Sequence, residues 1–291
     1  MYTLKIENTN GELFELSHDS QNYAIIGVTG LTRPATDINT SAGGGLDGEF
    51  FNSSRVQMRN IVITVVLRGN IEENRQRLYR IFPMKTHCAV YFSNKNRDVK
   101  IFGYVEILDA DLFTEQETVQ ISIICPRPFW QDMQTIYTEL SQIMSMFQFP
   151  FAIEETPGVP FSEIVDYPTC TIDNIGDVAC GCIITIDILN DGQANPVDGL
   201  TIYNLTTQTY FGFATNRTFG AGDRIIINTI SGQMSVTRNH GGTIENLLNS
   251  VASGSSWFKL AVGENLFTFT ADHNMDAVKI SFATGVLYGG V

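Results

Sequence analysis

Short runs in which apolar and polar residues alternate recur along nearly the whole chain, with Gly, Asn, Asp or Pro standing between them. A period of two puts successive side chains on opposite faces of a strand, so the pattern points to antiparallel sheet with one buried face rather than to helical bundles. The first two runs, 3–6 and 12–16, flank Asn10-Gly11, a strong local signal for a hairpin turn. Further runs follow at 23–28, 55–67, 88–92, 99–108 and 118–125. Within 55–67, residues 61–67 are apolar on both faces, which implies cover on both sides, one face being covered by a partner or a helix.

One early segment breaks the alternation. Asn70 is placed as an N-cap, Glu73 completes a capping-box pattern, Arg75, Arg77 and Arg80 follow, and Pro83 stops the run. Ile71, Leu78, Ile81 and Phe82 fall on one side of this helix, and loss of the Asn70 cap is expected to cost about 1 kcal/mol. Strands, one helix and more strands describe an α+β domain over 1–132, closed by Cys125-Pro126-Arg127-Pro128-Phe129-Trp130. Residues 133–168 read as a linker, weakly helical at first and then broken by repeated prolines. From 169 to 291 short runs at 181–189, 199–204, 209–213, 224–228, 233–237, 257–262, 265–270 and 277–283 have the spacing of a β-sandwich. The fold class is mainly β.

The chain has 291 residues, and at roughly 100–200 residues per domain this suits two domains. Its 18 Lys plus Arg against 31 Asp plus Glu leave a formal charge of −13, which repels phosphate backbones and anionic bilayers. Residues 1–132 hold 13 basic and 16 acidic residues and the remainder 5 and 15, so the second domain carries most of the excess. A solvated, peripheral position suits it, and the first domain is the expected assembler. The longest uncharged apolar stretch, 140–153, is too short for the roughly 20 residues of a membrane span, and the first residues lack the apolar block of a signal peptide. A soluble protein made without export is expected, with its five cysteines as buried thiols.

Residues 30–48 form a long polar stretch with Pro34 and three consecutive glycines, expected to be an exposed loop serving as an interaction arm or ring seam. Its core, Gly43, Gly44, Gly45, Leu46, Asp47 and Gly48, is the candidate ring-interface loop. It contains a formal G-x-G-x-x-G, but it precedes a strand where dinucleotide binding needs a helix N-terminus. His87 beside Cys88 points to the opposite face of a strand, and His18 and His240 lie in polar turn contexts expected to face solvent. Cys170, Cys180 and Cys182 lack the spacing of zinc ligands, and Asp272, His273 and Asp276 form no calcium loop. No pair among the 31 acids stands out for glycoside hydrolysis. These features give no catalytic or metal site and no cofactor. Trp257, in the alternating run 256–260, is the candidate ligand or interface aromatic.

The order of these pieces resembles the distal tail protein family of long-tailed bacteriophages and related tail-like particles. In the first domain the resemblance rests on Leu46-Asp47-Gly48, the strand 59–65, the helix 75–82 and the closing 125–129. In the second it rests on 222–229, Gly232, 256–260 and 263–265. The cysteines between 170 and 182 depart from it. The resemblance implies a belt domain forming a homohexameric ring, with a galectin-like sandwich outside it. It also implies partners: the tail tube protein, and tail hub, fibre or receptor-binding proteins, with DNA only in transit through an axial channel and no membrane. The place implied is the virion tail tip, with assembly in the host cytoplasm and a structural, non-enzymatic role. A ring would remove sheet edges by pairing each copy with the next, and this would account for residues 61–67. A galectin-like fold does not by itself bring sugar binding. The alternative is a carbohydrate-binding module for host adsorption through the sandwich. A cell-wall hydrolase rests on nothing but the abundance of carboxylates.

Overall fold

The computed structural model describes residues 2–45, 47–141, 143–145, 162–164, 168–189 and 196–291. The chain divides into two compact units, residues 1–133 with 287–291, and residues 134–286. Both are built from antiparallel sheet, and no helix among the described residues is long and apolar enough to cross a membrane.

The first unit opens with β1 (Thr3–Asn8) and β2 (Leu13–Leu16), paired through Leu4↔Leu16 and Ile6↔Phe14. Asn8 organises the turn between them: its Oδ1 accepts the Asn10 and Glu12 amides at 3.0 Å, and Gly11 takes a φ of 76°. Strand β3 (Tyr23–Thr29) is followed by β4 (Thr36–Ala42), β5 (Glu49–Val56) and β6 (Arg59–Leu67). Helix α1 (Ile71–Ile81) comes next, then β7 (His87–Ser93), β8 (Asp98–Ala110), β9 (Thr118–Cys125) and β10 (Trp130–Ser141). The strands run β2-β1-β7-β8-β9-β6-β3, and a bridge between Ser17 and Ala24 brings the two ends of this curved sheet together. Its interior is filled by Ile6, Ile61, Ile63, Val65, Val90, Ile101, Ile121 and Ile123, all at most 1% exposed.

Strand β6 therefore lies inside the sheet, between β3 and β9, and is no edge for another copy to pair with. Its Ile61, Ile63 and Val65 point into the core while Val62 and Thr64 are half-buried. Both edges of β6 are paired within one chain and helix α1 meets the strand, so of the two expected covers the helix is the one seen, and the account of this run by edge pairing between copies is corrected.

The helix forms where expected, but its cap differs. Asn70 makes no side-chain bond to the helix backbone; its Nδ2 donates to Glu73 Oε2 at 3.0 Å on the surface. Losing it should cost well under about 1 kcal/mol, because an exposed side-chain pair is a weak restraint. The firmer anchor is Asn74, which is buried, donates to the Arg68 carbonyl at 2.7 Å and offers its own carbonyl to the Tyr23 hydroxyl. Leu78 and Ile81 complete the buried face, and Ile71 is only half-buried.

The expected helical start to the linker is a strand: β10 continues to Ser141 through Thr135-Ile136-Tyr137-Thr138, residues suited to extended backbone. Short strands β11 (Ile143–Ser145) and β12 (Ser162–Ile164) pair antiparallel, and the prolines at 150, 157 and 160 lie outside the described residues.

The second unit is a two-sheet sandwich. One sheet has the order β13 (Thr169–Asn174), β22 (Gly263–Thr270), β16 (Thr201–Asn204) and β17 (Thr209–Gly212). The other places β14 (Cys182–Ile188) between β23 (Val278–Tyr288) and β19 (Arg224–Asn228), followed by β20 (Ser235–His240) and β21 (Thr243–Asn246). A small pair, β15 (Val197–Asp198) with β18 (Thr218–Phe219), stands apart. Phe267 of the first sheet packs on Phe282 of the second with ring centroids 4.8 Å apart, and Phe258 meets Phe267 at 5.6 Å.

Candidate functional site

The expected exposed loop at 30–48 is largely a β-ribbon. Strands β4 and β5 pair from Thr36↔Val56 to Ala42↔Glu49, with a bulge at Asn39/Thr40. The glycine-rich run is the tip, where Gly45 and Gly48 take φ values of 78° and 91°; Leu46 lies outside the described residues. A strand precedes this tip and a strand follows it. Ile38 is 66% exposed, Phe50 58% and Phe51 65%, and every residue of β5 is exposed. Polar side chains hold the ribbon: Arg55 pairs with Asp37 at 3.0 Å, Gln57 donates to the same carboxylate, and Ser41 Oγ lies 3.3 Å from Asn52 Oδ1. The bonds from Gln57 and Arg55 lower the Asp37 carboxyl below its ordinary pKa.

The root of this arm is built around Arg59, a charged residue only 2% exposed. Its Nε donates to the Pro128 carbonyl at 2.7 Å, Nη1 to the carbonyls of Gly30 (2.5 Å) and Thr32, and Nη2 to that of Gly289 at 2.7 Å. The guanidinium also lies 5.5 Å from the ring centre of Trp130, whose Nε1 donates to the Leu31 carbonyl. Burial lowers the Arg59 pKa, but a guanidinium so bonded keeps its charge. Gly30, at φ 82°, lies where a Cβ would come within 1.9 Å of the Asn60 carbonyl oxygen. The Gln57 amide donates to the Ala35 carbonyl at 2.9 Å and closes the root. Beside it, Leu4, Leu16, Val28, Leu31, Phe92 and Val291 help line an apolar cleft of about 810 Å³.

Trp257 does not lie on a strand. It is half-buried, edge-on to Phe211 at 5.3 Å, while Phe258 and Leu260 are buried and Lys259 is exposed. The strand expected over 257–262 is replaced by one bridge, Cys180 to Leu260, because Asn265 takes up both the amide and the carbonyl of Ala261 at 2.8 Å.

Other singled-out side chains have structural partners. His87 is exposed 6.5 Å from Tyr104 while Cys88 is buried. His18 Nδ1 lies 2.6 Å from the Ile25 carbonyl, and His273 Nδ1 lies 2.8 Å from Asp198. His240 is not a free turn residue: it bonds the fully buried carboxylate of Asp223 at 2.6 Å, which also pairs with Arg238 at 2.8 Å. All five cysteines are free thiols, and burial pushes Cys180 to about 11 and Cys182 to about 12. Among the described residues no group of three or more His, Cys, Asp or Glu is arranged to hold a metal ion.

The sequence reads as an exposed loop over 30–48, which misses the paired strands on either side of its tip and the exposed Phe50 and Phe51. The alternation Thr36, Ile38, Thr40 was the available signal. Arg59 carried no signal, since its four acceptors come from segments distant in sequence.

Residues 175–285 match the family described as siphovirus-type tail component, C-terminal domain, the family of the SPP1 protein Dit. The crystal structure of SPP1 Dit (gp 19.1), described as a paradigm of the hub adsorption apparatus in phages infecting Gram-positive bacteria, shares the fold: TM-score 0.68, 11% identity, 97% of this chain and 98% of that one. A chain of the phage p2 baseplate in its activated conformation aligns with TM-score 0.51 and 10% identity over 98% of each chain. No curated protein sequence matches significantly. Residues 175–285 are thus similar to the C-terminal domain of siphovirus-type tail components, and the chain shares its fold with SPP1 Dit.

Proposed function

We propose that this chain is a structural hub of a phage tail: a homohexameric ring joining the tail tube to the baseplate or fibre apparatus and leaving an axial channel for DNA. The observation that carries this reading is the β4–β5 arm. An isolated two-stranded ribbon is marginal in water, and this one displays Ile38, Phe50 and Phe51 without a core beneath them. A second copy supplies the missing cover, and contacts repeated head to tail close into a ring. Burying those three side chains contributes about 1.5–3 kcal/mol each at every seam.

The fold shared with SPP1 Dit and with the p2 baseplate chain supports a place at the virion tail tip. Assembly in the host cytoplasm is part of the same proposal. The formal charge of −13 suits a conduit that must release DNA. The role is structural rather than enzymatic, with tail tube and hub or fibre proteins as neighbours. Sugar binding has less support, since Trp257 spends much of its surface on Phe211.

Negative-stain images of the purified chain test the reading. Six-fold rings with a central opening are expected; uniform single particles of 32.3 kDa at high concentration would sink it.

A further inference from the structure

The first unit is not completed by the first 133 residues. Residues 287–291 belong to it, although all of 134–286 lies between them in the sequence. The returning segment is bonded along its length. The Tyr288 hydroxyl donates to Asp132 Oδ2 at 3.0 Å, and the Arg97 guanidinium lies 4.1 Å from the Tyr288 ring centre while donating to the Gly290 carbonyl. Gly289 gives its carbonyl to Arg59, and the Val291 amide donates to the Leu31 carbonyl at 3.3 Å. At Gly290 a Cβ would come within 3.1–3.4 Å of the Thr32 and Arg33 backbone, so the segment runs close against the stretch that leads into β4.

Both rails of the arm root depend on this contact. Arg59, on the chain leaving the arm, divides its donors among Gly30 and Thr32, on the chain entering it, and Gly289. Without Gly289 one donor of a buried guanidinium loses its acceptor, and a buried charge with a missing partner destabilises its surroundings strongly. Tyr288, only 7% exposed, would leave a gap beside Arg97.

We propose that residues 288–291 are a strap that licenses the arm: the root sets, and self-association becomes possible, only when the segment that follows the second unit has been made and seated. This rests on the reading of the arm as a self-association element. It implies that a nascent or truncated chain lacking residues 288–291 presents a loose ribbon and does not enter a ring, so chains that stop before the strap are kept out of the tail.

The test deletes residues 288–291 and follows the Gln57 amide, whose bond to Ala35 closes the root, by hydrogen exchange. Exchange is measured in the Phe50→Ser/Phe51→Ser background, so that assembly does not itself slow it. The deletion should accelerate Gln57 about 100-fold while the amides of Ile184 and Ile186 keep their rates. In the otherwise unaltered chain it should abolish assembly. Arg97→Ala and Tyr288→Ala, which leave the rest of the chain in place, should each accelerate Gln57 about 10-fold and serve if the deletion does not fold. Unchanged Gln57 exchange in the deletion or in both point variants, or a deleted chain that assembles like the intact one, overturns the strap. A monomeric intact chain contradicts the reading of the arm instead.

Discussion

Arg59 donates through Nη2 to the carbonyl of Gly289 at 2.7 Å, across 230 residues of sequence. This bond ties the strand leaving the arm to a segment supplied after the whole second unit. It also sits in a pocket whose other acceptors, Gly30, Thr32 and Pro128, are backbone carbonyls with no carboxylate among them. The guanidinium is held by geometry rather than by a counter-charge, and a planar fork with five donors is the side chain that can serve four such sites.

Arg59→Met should therefore destabilise the first unit by about 3–5 kcal/mol, since it strands several buried carbonyls at once. Arg59→Lys should recover only part, because a single ammonium cannot reach the same spread of acceptors. Chemical denaturation followed by near-ultraviolet circular dichroism measures both; equal stability of Arg59→Met and the unaltered chain would refute the role given to this residue.

Gly103 lies opposite Cys88 on the neighbouring strand, and a Cβ there would meet Ile123 Cγ2 at 2.6 Å, Cys125 Sγ at 2.8 Å and the Ile124 carbonyl oxygen at 2.9 Å. The glycine leaves room for the Ile123 and Cys125 side chains of β9 to pack over its own strand. Gly103→Ala is expected to cost about 1–3 kcal/mol by overpacking, read as a fall in the denaturation midpoint. Gly44→Ala, where nothing lies within 4 Å, should be nearly neutral and serves as the control.

The buried thiols make stability depend on alkaline pH. Burial pushes Cys88 and Cys182 up to about 12 and Cys125 up to about 11, against 9.0 for the unperturbed thiol. Above pH 9 the unfolded chain loses these protons first, so their contribution is full below 9 and is lost as pH rises toward 11–12. Two measurements follow: unfolding free energy should decline from pH 9 upward, and in native protein at pH 8 the buried Cys88, Cys125, Cys180 and Cys182 should resist a water-soluble thiol reagent that labels all five cysteines in denaturant, whereas Cys170, expected buried but only half-buried, is the accessible thiol. Rapid labelling of native Cys182 would contradict its burial.

Much of this architecture was legible because it is local. Alternation marks β14, β16, β19 and β22, where each buried residue has an exposed or half-exposed neighbour. Asn10-Gly11 announced the first turn, and Pro83 ended the helix. What was hidden depends on contacts far apart in sequence. The ribbon at 36–56 lacks a core of its own, so few apolar residues betray its strands. The run around Trp257 alternates like a strand, yet Asn265 satisfies its backbone from the side. Residues 61–67 suggested an intermolecular seam, but β3 and β9 flank them in the same chain. The Asn70 side chain makes no cap bond, and its amide group donates to Glu73 on the surface.

The central claim is that copies of this chain associate through the arm, and the most direct measurement is solution mass by light scattering for the intact chain beside Phe50→Ser/Phe51→Ser. Both substituted side chains are more than half exposed and neither belongs to the core, so the variant should keep its fold and its denaturation midpoint. The account predicts six times 32.3 kDa for the intact chain and one copy for the variant. Equal masses for the two, whether both single or both assembled, would contradict it.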